Sequence, residues 1–122
     1  MSRSIRIGGL GSINGAASVP GDKSISHRVA MLASVAKGAS TIGGFAASAD
    51  CLATLDCVQR LGVRVDRGAN AITIHGEGLN GYRPQEARVN LYAANSGSTI
   101  RMLSGLLAAQ GFTSVIDGDA SL

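Results

Sequence analysis

The stretch Val19-Pro20-Gly21-Asp22-Lys23-Ser24-Ile25-Ser26-His27-Arg28, followed at once by an Ala-rich apolar run, decides how this chain folds. Pro20-Gly21 signals a turn. From Ser24 to about Lys37, Ile25, Val29, Leu32, Val35 and Ala36 recur at a helical period, and Gly38 reads as the helix stop. A helix start presents free backbone N–H groups and about half a unit of positive charge. Lys23 and Arg28 add two cations there, so the element reads as a socket for a phosphate or carboxylate. A lysine at a helix start is electrostatically misplaced unless an anion answers it. Ser24 and Arg28 share a helix face and can grip one ligand together.

Outward from this helix the pattern alternates. Residues 3–20 read as extended, with Ile5 and Ile7 at alternate positions, and Thr41-Ile42 as a short strand closed by Gly43-Gly44. Asp50 opens a second helix through Leu52, Leu55, Val58 and Leu61, which Gly62 ends. Val63–Asp66 and Ala71–His75 read as a hairpin across Arg67-Gly68-Ala69-Asn70. After a Gly-rich loop with Pro84, Arg88–Leu91 reads as a strand, Thr99–Ala109 as a helix and Phe112–Ile116 as a strand. The predicted order is β-α-β-α-β-β followed by β-α-β, an α/β class. The chain stops at Asp117-Gly118-Asp119-Ala120-Ser121-Leu122, inside what reads as a working loop.

A second helix start repeats the first design in Asn95-Ser96-Gly97-Ser98-Thr99-Ile100-Arg101. Asn95 is a cap candidate. Gly97 removes a Cβ where a ligand would meet the backbone, and Ser98 and Thr99 offer donors. Arg101 has two readings: it points to the same pocket, or it lies on a buried face paired to a carboxylate. Asp50 also has two: a helix cap, or a carboxylate that approaches and orients Lys23. Two anion-ready helix starts in one short chain point to a phosphorylated small-molecule substrate.

Other chemistry finds little support. A P-loop is absent, because Gly15 and Gly21 are six apart and Asp22 separates Gly21 from Lys23. Cys51 and Cys57, six apart in a helix, match neither a zinc pattern nor a redox pair. Asp117 and Asp119 read as turn residues, His27 as a surface or packing residue, and His75 as structural. The chain has 122 residues, 3% aromatics and a net charge of +3, with its cations scattered. That balance favours small anions over nucleic acid. No apolar run approaches a membrane span and no signal peptide is visible, so the expected compartment is the cytoplasm.

The segment Pro20–Arg28 resembles the N-terminal signature of the 5-enolpyruvylshikimate-3-phosphate synthase family. Asn95–Arg101 resembles that family's N-[AS]-G-T-x-M-R loop, and Gly118–Leu122 the start of its third motif. The resemblance runs the length of the chain. It implies βαβαββ units of the enolpyruvyl transferase type, an inside-out α/β barrel, with one complete unit and part of a second present here. It also implies that residues 1–20 pack with a missing far domain, and that 21–122 form part of an N-terminal substrate-binding domain. The implied reaction moves the enolpyruvyl group of phosphoenolpyruvate to the 5-hydroxyl of shikimate 3-phosphate, with no metal or organic cofactor and with glyphosate as inhibitor. Lys23 matches the lysine that touches both substrates, Ser24 and Arg28 match shikimate 3-phosphate ligands, and Gly97 matches the glycine lining the phosphoenolpyruvate and glyphosate pocket. Asn95 and Asp50 match residues beside that pocket, Asp50 with a catalytic role. The sequence differs from the family at Leu91-Tyr92-Ala93-Ala94, where Leu-Asp-x-Gly is usual, at Ser98, where Thr is usual, and at Ala49, where many members carry a second Asp. The expected state is an N-terminal fragment, inactive alone, partnered by a second polypeptide carrying the rest. The competing readings are a non-catalytic half-domain that binds phosphorylated metabolites or a partner chain, and a fragment of UDP-N-acetylglucosamine enolpyruvyl transferase.

Overall fold

Asp22 starts the first helix. Its backbone is extended, and its carboxylate accepts the Ile25 N–H at 2.7 Å, satisfying one free donor of the first turn. The structure, a computed structural model, describes residues 3–9 and 11–122. From Asp22 onward the elements are α1 (Lys23–Val35), β1 (Lys37–Gly43), α2 (Ala49–Arg60), β2 (Arg64–Arg67), β3 (Ala71–Glu77), β4 (Arg88–Tyr92), α3 (Gly97–Leu107) and β5 (Thr113–Asp117).

The strands form two small sheets. One is antiparallel with order β1-β3-β2, placing Thr41 opposite Thr73 and Val65 opposite Ile74. The other pairs β4 with β5 in parallel, Leu91 opposite Ile116. Parallel neighbours need a crossover, which α3 supplies. Leu55, Val58, Leu61, Ile74, Tyr82, Leu91 and Leu103 form one core beneath the helices. The α/β class and the hairpin β2–β3 follow the sequence pattern.

Two local expectations change, and the N-terminal segment stands apart from both sheets. Residues 3–9 and 11–20 join no strand of this chain, and Ile5, Ile7, Ile13 and Val19 in this stretch are over four-fifths exposed; Leu10, and Met1 and Ser2 of the segment expected to pack with a far domain, lie outside the described residues. Gly38 does not stop α1. The helix ends at Val35, where the Ala36 N–H reaches Leu32 O at 3.0 Å, and Gly38 sits inside β1 opposite Gly76. A Cβ on Gly76 would run into the carbonyls of Ala33 and Ala36, so the missing side chain lets the end of α1 rest on β3. Finally, Ile25 (64% exposed) and Leu32 (68%) face outward, while α1 buries Ser26, His27, Ala30, Met31, Ala33 and Ser34. Small residues allow the close approach, and the polar ones among them are bonded. Ser34 donates to Met31 O and meets the Tyr82 hydroxyl, both at 2.7 Å.

The entry to α1 is held by a backbone contact. A Cβ on Gly21 would collide with the Gly44 carbonyl. Ser26 adds a bridge, donating to Asp22 O at 2.7 Å and accepting the Ala46 N–H at 2.9 Å. Gly21→Ala is expected to destabilise the chain by about 1–3 kcal/mol, the usual effect of overpacking. Gly9, where a Cβ meets nothing within 4 Å, provides the control. Urea unfolding checks this; equal midpoints for Gly21→Ala and Gly9→Ala would contradict it.

Candidate functional site

The starts of all three helices converge. Lys23, the first residue of α1, forms an ion pair with Asp50 in the first turn of α2. The Asp50 carboxylate, by hydrogen bond and by charge, holds the Lys23 ammonium above the ordinary lysine range. The cation at the start of α1 is therefore answered from within the chain. Asp50 lies in the first turn of α2 but does not cap it. Ser48 does, accepting the Cys51 N–H at 3.3 Å, which leaves Asp50 free to reach Lys23. Cys51 Sγ contacts Lys23 O at 3.5 Å, a further tie between the two starts. Burial pushes the Cys57 thiol up to about 11, which keeps it an inert core residue.

α3 begins at Gly97, and its cap is Ser96, not Asn95: Ser96 Oγ accepts the Thr99 N–H at 3.1 Å. Asn95 is exposed beside it. Ala94, where the resembled family usually carries Gly, has φ of 51°. An L-residue in this left-handed region costs about 1–2 kcal/mol, and backbone pairing holds it there. Ala93 N–H donates to Asp117 O at 2.8 Å, and Asp119 N–H to Ala94 O at 3.0 Å. Asp119 Oδ1 accepts from Ser121 N and Oγ at 2.9 and 2.6 Å, contacts that hold its carboxyl below the usual range. Asp119 is a turn residue here, whereas Asp117 closes β5 opposite Tyr92 instead of lying in a turn.

Gly97 leaves open space. A Cβ there would meet only the end of Arg101, at 3.9 Å from Nη1. Arg101 is exposed and, among the described residues, pairs with no carboxylate, so it leans toward the start of α3. Ser24 and Arg28 are both exposed one turn apart on α1. The first two turns of α1 and α3 thus carry Lys23, Arg28 and Arg101, with Asp22 capping α1 and Asp50 paired to Lys23. A large cleft bounded by Asp56, Gln59, Arg60, Arg83 and Glu86 lies at the other end of α2 and mixes both signs of charge.

Beneath these starts runs a buried polar chain. His27 Nδ1 meets Thr54 Oγ1 at 2.7 Å, Thr54 Oγ1 meets Thr99 Oγ1 at 2.7 Å, and the Thr99 hydroxyl donates to Ser96 Oγ at 2.7 Å. Of the two readings of His27, surface or packing, the structure gives the buried one, and Thr54 carries no signal in the sequence. A threonine in a helix interior facing a buried histidine is legible only after folding.

The chain matches the family described as EPSP synthase (3-phosphoshikimate 1-carboxyvinyltransferase) over residues 7–122. It belongs to that family. It is 50% identical to the 3-phosphoshikimate 1-carboxyvinyltransferase of Solibacter usitatus over 117 residues, covering 96% of this chain and 27% of that protein. It is 46% identical to the Herpetosiphon aurantiacus protein of the same name over 110 residues, covering 90% of this chain and 25% of that one. The structure of EPSP synthase from Acinetobacter baumannii superposes with a TM-score of 0.80 at 44% identity, covering 88% of this chain and 24% of that one. The chain thus spans about a quarter of the length of the EPSP synthases it matches. Among the described residues no helix is long and apolar enough to cross a membrane.

Burial, and secondarily the Lys23 charge, lowers the proton affinity of His27 below the ordinary imidazole value. The unfolded chain therefore takes up this proton first as pH falls. The contribution of neutral His27 is complete above about pH 6.5 and is lost below it, at no more than about 1.4 kcal/mol per pH unit. Urea midpoints compared at about pH 7.5 and 5.5 are expected to fall more for the parent chain than for His27→Asn. Equal falls would contradict the assignment.

Proposed function

We propose that this chain contributes Lys23, Ser24, Arg28, Asp50, Asn95 and Gly97 to a site that transfers the enolpyruvyl group of phosphoenolpyruvate to the 5-hydroxyl of shikimate 3-phosphate, with release of phosphate. The observation that carries the reading is the convergence of three helix starts around the Lys23–Asp50 pair. The two substrates bring two phosphates and a carboxylate. Free N–H groups and fixed cations suit them, because such donors stabilise shifting negative charge without reorganising. Lys23, kept as an ammonium by Asp50, is oriented to touch both substrates and to carry a proton between them. Arg28 and Ser24 hold the shikimate phosphate. Gly97 lets phosphoenolpyruvate, or glyphosate in its place, lie against the start of α3. Residues 1–20 and the outward Ile25 and Leu32 are the surfaces on which a polypeptide carrying the remainder of the site would pack, in a cytoplasmic enzyme.

The test is a chimera in which this chain replaces its matched quarter of the Acinetobacter baumannii enzyme. Phosphate release from the two substrates is expected, and Lys23→Ala is expected to abolish it. Arg28→Ala should mainly weaken shikimate 3-phosphate binding, by about 1.5–3 kcal/mol for a lost charge-assisted contact. Gly97→Ala should reduce glyphosate inhibition more than it raises the KM for phosphoenolpyruvate, with an unchanged melting temperature because the fold has room for the methyl. Retention of most of kcat by Lys23→Ala would overturn the assignment. A chimera that binds the substrates without turnover would favour a non-catalytic binding module.

A further inference from the structure

We infer that His27, Thr54 and Thr99 are positioning residues: their chain of hydrogen bonds, ending on the α3 cap Ser96, sets the starts of α1, α2 and α3 relative to one another. The inference rests on the proposed reading of those starts as one anion site. The four residues are 0–1% exposed, and each link joins a different pair of structural parts: α1 to α2, α2 to α3, and α3 to its own cap. The exposed groups ride on the same helices. Lys23 is one turn before His27, Asp50 one turn before Thr54, and Gly97 lies between Ser96 and Thr99.

The direction of the protons follows from the donor inventory. Ser96 Oγ accepts both from the Thr99 N–H and from the Thr99 hydroxyl. With its proton so used, Thr99 Oγ1 must accept from Thr54. The Thr54 hydroxyl also lies 3.5 Å from Asp50 O, a longer contact that competes for the same proton; with either use none is left for the imidazole, so His27 must donate through Nδ1–H. Its buried Nε2 has no hydrogen-bond partner among the described residues, so the ring is neutral with its proton on Nδ1. The Thr54 and Thr99 hydroxyls thus each give and take a bond while Ser96 accepts two, and replacing Thr54 leaves unpaired groups on both neighbouring helices.

The chemistry separates this role from packing. Thr54→Val keeps the shape and removes the hydroxyl, whereas Thr54→Ser keeps the hydroxyl and removes a methyl. In the 122-residue chain, amide exchange followed by NMR is expected to accelerate roughly tenfold at Thr99 in Thr54→Val, the equivalent of one buried hydrogen bond. The Lys23 and Gly97 amide signals should shift with it. Thr54→Ser should stay close to the parent in both. The reverse order, with Val tolerated and Ser disruptive, would mean packing and would overturn the inference. Should the valine variant not fold, nitrogen-15 spectra of the unmutated chain decide. Protonation at Nδ1 alone near neutral pH supports the inference; protonation at Nε2, or at both nitrogens, overturns it. None of these readouts depends on turnover. An inactive chimera with the expected spectra would therefore count against the proposed reaction and leave the positioning role standing.

Discussion

His27, Thr54, Thr99 and Ser96 lie where three helices meet, a place that an α/β core ordinarily fills with apolar side chains. Burying polar groups is unfavourable unless each finds a partner. Here the hydroxyls are bonded in series, so the helices cannot slide without leaving several groups unsatisfied. Apolar packing of Leu55, Val58 and Leu103 supplies the burial that drives folding. It does not by itself fix where one helix start stands against another, since apolar contacts are non-directional. Hydrogen bonds are directional, and this fold uses them at the end where the charged side chains emerge.

Electrostatics at that end follows from the same arrangement. Three helix starts in one place concentrate positive potential, and Lys23, Arg28 and Arg101 add to it. A lone lysine there would be repelled. Asp50 resolves this by lying in the first turn of α2, where a carboxylate is itself favoured, and by pairing with Lys23 across the gap. His27, one turn below, is held neutral by burial and by the nearby ammonium. The outcome is a surface with more cations than anions above a neutral, hydrogen-bonded floor. Such a surface suits ligands that carry phosphates.

Much of the fold is legible in the residues because it depends on local signals. The hairpin turn at Arg67–Asn70 and the crossover through α3 follow from turn chemistry and periodicity. The misreadings share a cause, which is tertiary contact overriding a local rule. Gly38 resembles a helix stop, but the helix ends earlier, where it settles against Gly76. Ser48 and Ser96 cap α2 and α3 in place of Asp50 and Asn95: each is the residue just before its helix, with extended backbone and a hydroxyl in reach of the third N–H of the first turn. The stripe of Ile25 and Leu32 faces outward because the opposite face, rich in Ala and Ser, fits closer to β3. At the site, sequence motifs brought out Lys23, Ser24, Arg28 and Gly97. The partnership of Asp50 with Lys23 was one of two open readings, and the role of Thr54 had no local signal.

We propose that the three helix starts act as one anion site. Titration of the isotope-labelled chain with shikimate 3-phosphate, with inorganic phosphate as the reference, tests it most directly. Amide signals at Lys23–Ser24, Asp50–Cys51 and Gly97–Ser98 are expected to shift together along one saturation curve, with shikimate 3-phosphate saturating at lower concentration than phosphate. Shifts confined to one helix start, or equal responses to both ligands, would contradict it.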